Sequence, residues 1–182
     1  MSYASAETAP MARTETHKPM ALTRINALLS RLCMFTAVAA LFGIILVVLW
    51  QVFGRYVLND TPTWAESTAL VLVIYVTMFG AAAGVRDAGH IGMESILILL
   101  PEKLRSKFEI LIHCLVGLFG GLMVWYGAVL GYSVKNYKIP TLGLPESVNY
   151  TAVVIAGALI ISFCIEHIIA IFTGKEVEPS WH

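Results

Sequence analysis

The spacing of charges constrains this chain more than any motif does. From Leu32 to Gly54, between Arg31 and Arg55, 23 residues pass without an Asp, Glu, Lys or Arg. As a helix rising 1.5 Å per residue, that run covers roughly 34 Å, enough to cross a hydrocarbon core of about 30 Å. Three more runs of this kind follow. Within a bilayer no water reaches the backbone amides, so each crossing must satisfy its own hydrogen bonds as a helix. A soluble domain is about half apolar and about a quarter charged. This chain of 182 residues is 58% apolar and 13% charged, with a mean hydropathy of +0.76.

The expected fold is an all-α integral membrane protein with four transmembrane helices. Residues 1–19 are rich in Ala, Thr, Ser and Glu without apolar periodicity and read as a disordered cytoplasmic tail. A signal peptide fits poorly, because the first apolar run starts after residue 31 and outlasts an h-region of about 7–15 residues. Residues 20–174 form the membrane domain. Leu22, Ile25, Leu28, Leu29 and Leu32 recur at helical spacing and lead amphipathically into the first span.

The spans are expected at 32–54, 63–85, 110–134 and 147–165, the last fraying toward Thr173, and 175–182 is a second cytoplasmic tail. Asn59, Asp60 and Pro62 make the first turn, and Thr63-x-x-Glu66 has capping-box spacing for the second helix. The stretch 91–100 is too short to cross, carries Glu94 and is stopped by Pro101, so it reads as an interfacial amphipathic helix. Of the 12 Lys and Arg, only Arg55, Lys135 and Lys138 fall on the side away from the termini. The positive-inside rule then gives an N-in/C-in topology. Cys33, Cys114 and Cys164 all lie in apolar runs near cytoplasmic helix ends, where thiols act as small apolar fillers.

Several functions are excluded. A net charge of zero argues against a nucleic-acid partner. No nucleophile–base set, phosphate loop or zinc-protease motif is present, so the chain is not expected to be an enzyme. Charges inside the spans are almost absent, and no span is broken by proline, so the chain alone should not conduct a polar solute.

Glycine pairs four residues apart, Gly80 and Gly84, Gly117 and Gly121, Gly127 and Gly131, allow close helix packing. That packing could be internal or against another membrane protein. Arg55, Glu66, Arg86, Asp87, His90 and Glu94 gather at the two ends of the second helix, as interface charges or as polar pairs fixing a partner. His113 and His167 fall near one membrane level. They read as packed histidines, or alternatively as the ligands of a haem-bearing anchor in a respiratory complex; with Cys114, Cys164 and Glu166 a metal is conceivable.

The order of short motifs adds a resemblance. Gly54-Arg-Tyr-Val57 follows the first span, Pro62-Thr-Trp-Ala-Glu66 opens the second, and the stretch from Gly80 through Val85-Arg-Asp87 and His90 to Glu94 closes it. With Leu100-Pro-Glu102, and Leu142-Gly-Leu-Pro145 before Tyr150, this resembles the small membrane subunit of tripartite ATP-independent periplasmic (TRAP) transporters. The likeness runs from about Arg31 to Thr173. Two positions depart from it: Ser67 stands where a second acid is common, and Thr151–Gly157 lacks a proline.

The resemblance implies a bacterial inner-membrane subunit that does not itself bind substrate. It implies a scaffold for the large, elevator-type membrane subunit in sodium-driven symport, with the sodium ions in that partner and no cofactor here. Arg55, Trp64, Glu66, Arg86, Asp87, His90 and Glu94 are then expected to hold the large subunit and set membrane depth. Asn59, Asp60, Lys135, Lys138 and Glu146 are expected to meet the periplasmic substrate-binding protein. Membrane lipids are the remaining partner.

Overall fold

Helix α1 covers Ala21–Tyr56, α2 Thr63–Asp87, α3 Glu102–Ser133 and α4 Ser147–Thr173. The structure, a computed structural model, describes residues 21–87 and 102–173. Both tails, the expected interfacial helix at 91–100, His90 and Glu94 lie outside the described residues. All four helices are long and apolar enough to cross a membrane. Among the described residues there is no strand, only one isolated bridge between Lys138 and Pro145. α2 and α4 begin at the expected residues, while α1 begins well before residue 32 and α4 stays helical to Thr173.

The first helix shows why the pieces assemble as they do. Its covered positions include Asn26, Ser30, Cys33, Ala37, Ala40, Ile44, Val47, Gln51 and Gly54, a row in alternating steps of four and three. That spacing is the seam of a left-handed helix pair, and it lies along α2. α2 also packs on α4, and α4 on α3, so the order across the layer is α1, α2, α4, α3. α1 touches α4 only lightly.

α4 is the most enclosed helix, burying Ala152, Ala156, Gly157, Ile160, Phe163, Cys164, Glu166 and His167. Outward-facing residues such as Phe35, Phe42, Leu118, Phe119, Trp125 and Phe172 are bulky and apolar, as a lipid-solvated surface requires.

The tightest helix contact is at Gly120 and Gly157. A Cβ at Gly157 would lie 2.8 Å from the Gly120 carbonyl oxygen, and one at Gly120 would lie 3.0 Å from that of Gly157. Backbones meet there, and dispersion between them holds α3 on α4 without help from water. Of the glycines singled out by spacing, Gly117 faces Cys164, Gly127 faces Val154 and Gly131 faces Tyr150. At Gly80, Gly84 and Gly121 an added Cβ would meet nothing within 4 Å.

The two turns at the far end are short and hydrogen-bonded. Asn59 takes a left-handed φ of 55°, which returns the chain so that the Asp60 amide donates to the Gly54 carbonyl at 3.0 Å. The 135–146 loop closes as a small hairpin. The Ile139 amide donates to the Leu144 carbonyl at 2.8 Å, the Glu146 amide to the Tyr137 carbonyl at 2.9 Å, and Gly143 supplies the positive φ. Thr141 Oγ1 donates to Ser67 Oγ, and the Tyr75 hydroxyl to the Val148 carbonyl at 3.0 Å, so this end of α2 is tied to the hairpin and to α4.

Candidate functional site

α1 and α3 start, and α2 and α4 end, on the same side of the layer, and that geometry gathers the buried polar side chains. Arg86, Asp87 and Glu166 are 1%, 4% and 3% exposed, with Asn26, Ser30, His113 and His167 buried beside them. In an apolar medium a charge persists only when it is paired and its remaining hydrogen-bond capacity is filled. The cluster meets that demand closely.

The guanidinium of Arg86 forks onto Glu166, Nη2 to Oε1 at 3.2 Å and Nε to Oε2 at 3.3 Å, while its Nη1 reaches Asp87 Oδ1 at 2.9 Å. Asn26 Nδ2 donates to Glu166 Oε2 at 2.8 Å, and Asn26 Oδ1 accepts from Ser162 Oγ at 2.9 Å. Ser30 Oγ donates to Asp87 Oδ2 at 2.6 Å. Every carboxylate oxygen of Asp87 and Glu166 thus has a donor. One residue set joins α1, α2 and α4.

The histidines extend the cluster to α3. His167 Nε2 lies 3.1 Å from the Arg86 carbonyl oxygen, and His113 Nδ1 lies 2.8 Å from that of Glu109. A carbonyl only accepts, so each of those ring nitrogens carries its proton. The two rings pack on each other, centroids 4.8 Å apart and tilted by 38°. This mutual packing gives no support to a haem between them. Among the described residues no group of three or more His, Cys, Asp or Glu could hold a metal ion. With its donors and acceptors matched to one another, the arrangement can hold helices together, and it presents no activated nucleophile or base.

The residues expected at a partner contact separate into two groups. Arg55, Trp64 and Glu66 are exposed, at the far end of the layer. Arg86 and Asp87 instead turn into the chain, because Glu166 and Ser30 offer the counter-charge and hydrogen bond that a buried ion needs. Asn59, Asp60, Lys135 and Lys138 are exposed and Glu146 is half-buried, all on the two turns at the far end. Asn26, Ser30 and Ser162 escaped sequence reasoning, and Glu166 was weighed only as a neighbour of a metal. Two signals pointed to them: polar residues four apart on an apolar helix, and an acid at the terminus-bearing end of α4, level with the Arg86–Asp87 step.

The family model described as tripartite ATP-independent periplasmic transporters, DctQ component, matches residues 44–174. The chain belongs to this family. The match takes in Arg86, Asp87, Glu166 and His167 and starts beyond Asn26 and Ser30. Among its relatives is the sialic acid TRAP transporter small permease protein SiaQ of Vibrio cholerae, 26% identical over 137 residues, covering 72% of this chain and 77% of that protein. The C4-dicarboxylate TRAP transporter small permease protein DctQ of Rhodobacter capsulatus is 32% identical over 99 residues, 53% of this chain and 43% of the relative. The sialic acid TRAP transporter permease protein SiaT of Haemophilus influenzae is 29% identical over 147 residues, 80% of this chain but only 23% of that much longer protein. DctQ-family members are transporter subunits and not enzymes. With four apolar helices, this member is a multi-pass protein of the bacterial inner membrane.

Proposed function

We propose that this DctQ-family chain is the static membrane partner of a large permease subunit in a sodium-driven TRAP uptake system. The observation that carries the reading is where the ionisable groups lie. The buried charged and histidine side chains sit at one end, within one hydrogen-bonded cluster, while the helix interiors between hold no Asp, Glu, Lys, Arg or His. A path for a polar solute would need polar groups at mid-membrane, and such groups are retained only where they serve one. Substrate and sodium ions are therefore assigned to the large subunit. In SiaT the matched segment is under a quarter of one longer protein, which suits a unit that works beside a larger one.

A scaffold must resist deformation. The polar cluster fastens one end of the layer, and the Ser67–Thr141 and Tyr75–Val148 bonds fasten the other. The outward stripe of α2, Leu70, Val73, Thr77, Gly80 and Ala81, is left bare and offers a smooth track for a helix of the large subunit. Arg55, Trp64 and Glu66 border it at the far end. In the N-in/C-in topology that end is periplasmic, and Asn59, Asp60, Lys135, Lys138 and Glu146 face the substrate-binding protein there.

The test is affinity purification of the C-terminally tagged chain from native membranes in mild detergent. One much larger multi-span protein should co-purify in about equal amount, and recovery of this chain alone as a homo-oligomer would refute the reading. Gly80→Leu adds a side chain on this stripe where nothing stands within 4 Å. It should leave the isolated chain as stable as before, within about 0.5 kcal/mol, and lower recovery of the partner. Full recovery would move the contact off this face.

A further inference from the structure

Between α3 and α4, at the end away from the polar cluster, lies a groove of about 350 Å³, of which the reading above uses only Lys135 at the mouth. Gly127, Ala128 and Gly131 form its α3 side, and Tyr150, Thr151 and Ile155 its α4 side, with Tyr132 and Lys135 at the mouth. Small residues on the α3 side, Gly127, Ala128 and Gly131, leave the space between the helices open here. Ala128, Thr151 and Ile155 are exposed, so the groove opens sideways onto the bilayer.

We propose that this groove holds one acyl chain of an anionic phospholipid, with its headgroup phosphate at Lys135. Length favours a lipid chain over a protein helix. The lining covers residues 127–135 and 147–155, about 12 Å of helix. That approaches the depth of one leaflet, half of a core about 30 Å thick, whereas a spanning helix would need a track about twice as long.

Charge favours an anion. α3 ends at Ser133, so Lys135 stands where the chain leaves the hydrocarbon. Its ammonium sits 3.7 Å over the Tyr132 ring, a cation–π contact that holds the positive charge at the groove mouth. An ammonium has three donors and the ring face engages one side of it, so others remain for phosphate oxygens. Across the mouth the first turn of α4 carries no acidic side chain, and Glu146, one residue before it, lines a separate groove with Lys138 and Ser67. Apolar floor, leaflet depth and a fixed cation together describe a phospholipid and not a free anion.

Native mass spectrometry of the full chain, titrated with phosphatidylglycerol or with phosphatidylcholine of the same acyl chains, tests this. The unaltered protein should retain one phosphatidylglycerol in preference to phosphatidylcholine. Lys135→Gln should weaken phosphatidylglycerol about fivefold, the worth of one interfacial cation, and leave phosphatidylcholine unchanged. Ala128→Leu fills the groove from an exposed position and should lower retention of both. Circular dichroism and thermal unfolding identify the folded preparations. Equal phosphatidylglycerol retention by the protein and both variants would overturn the proposal. So would an Ala128→Leu protein that keeps its lipid and loses a co-purifying membrane protein, because the groove would then belong to a partner helix.

Discussion

Arg86→Ala should lower the stability of the membrane domain by about 3–5 kcal/mol, the cost of stranding a buried charge once its partner is removed. The side chain of Arg86 is 1% exposed and answers two carboxylates, Asp87 and Glu166, each also bonded to α1 through Ser30 or Asn26. Without it, Glu166 keeps only the amide of Asn26. Heating the detergent-solubilised protein and following the monodisperse fraction by size-exclusion chromatography measures the loss. Arg86→Lys should recover little, since an ammonium cannot reproduce the two-pronged contact with Glu166. Arg86→Gln combined with Glu166→Gln should recover more than Arg86→Gln alone, because the two neutral amides can bond to each other and the Glu166 charge is no longer stranded. The Asp87 carboxylate still loses its Arg86 counter-charge, so recovery should be partial. A native-like Arg86→Ala protein would mean that the cluster is hydrated and unimportant to the fold.

The second large effect is expected at the crossing of α3 and α4. Gly157→Leu would drive its side chain into the Gly120 carbonyl at 2.8 Å, Met123 Cβ at 3.0 Å and Val124 Cγ2 at 3.1 Å. A flexible side chain could swing aside, but a helix backbone cannot, so the two helices must separate along their length. Overpacking typically costs about 1–3 kcal/mol, and here the lost contact adds to it. Gly157→Ala should show the same direction at smaller size. Gly121→Ala, one residue from Gly120 but facing open space, should be neutral or slightly favourable because alanine is the better helix former. Thermal unfolding of the three proteins side by side makes the comparison. Equal midpoints would show that α3 and α4 are held elsewhere.

These two sites mark the limit of what spacing rules can see. Gly117, Gly127 and Gly131 were found by their i,i+4 intervals, and each does face α4. Gly120 and Gly157 make the closest approach, yet neither belongs to such a pair. A helix face is defined jointly by both partners, and the crossing point depends on the order in which helices lie across the layer. Arg86 and Asp87 raised the same difficulty. Their position at a helix end suggests interface charges or polar pairs fixing a partner, and only the neighbouring ends of α1 and α4 explain why both turn inward.

What the chain's linear order determined on its own was the count of its crossings and the residues at which α2 and α4 begin. Those follow from one-dimensional physics: an uncharged run of sufficient length must be a helix in lipid, and a polar turn must end it. The family was legible too, because its short motifs sit at helix ends and keep their order. Which faces meet was left to the tertiary structure. In lipid the apolar surface is as well solvated outside the protein as inside, so hydrophobic patterning carries no inward direction. Packing of small residues and pairing of buried polar groups must then choose the partners, and both are properties of two helices at once. Asn26 and Glu166 lie 140 residues apart in the chain and 2.8 Å apart in the fold.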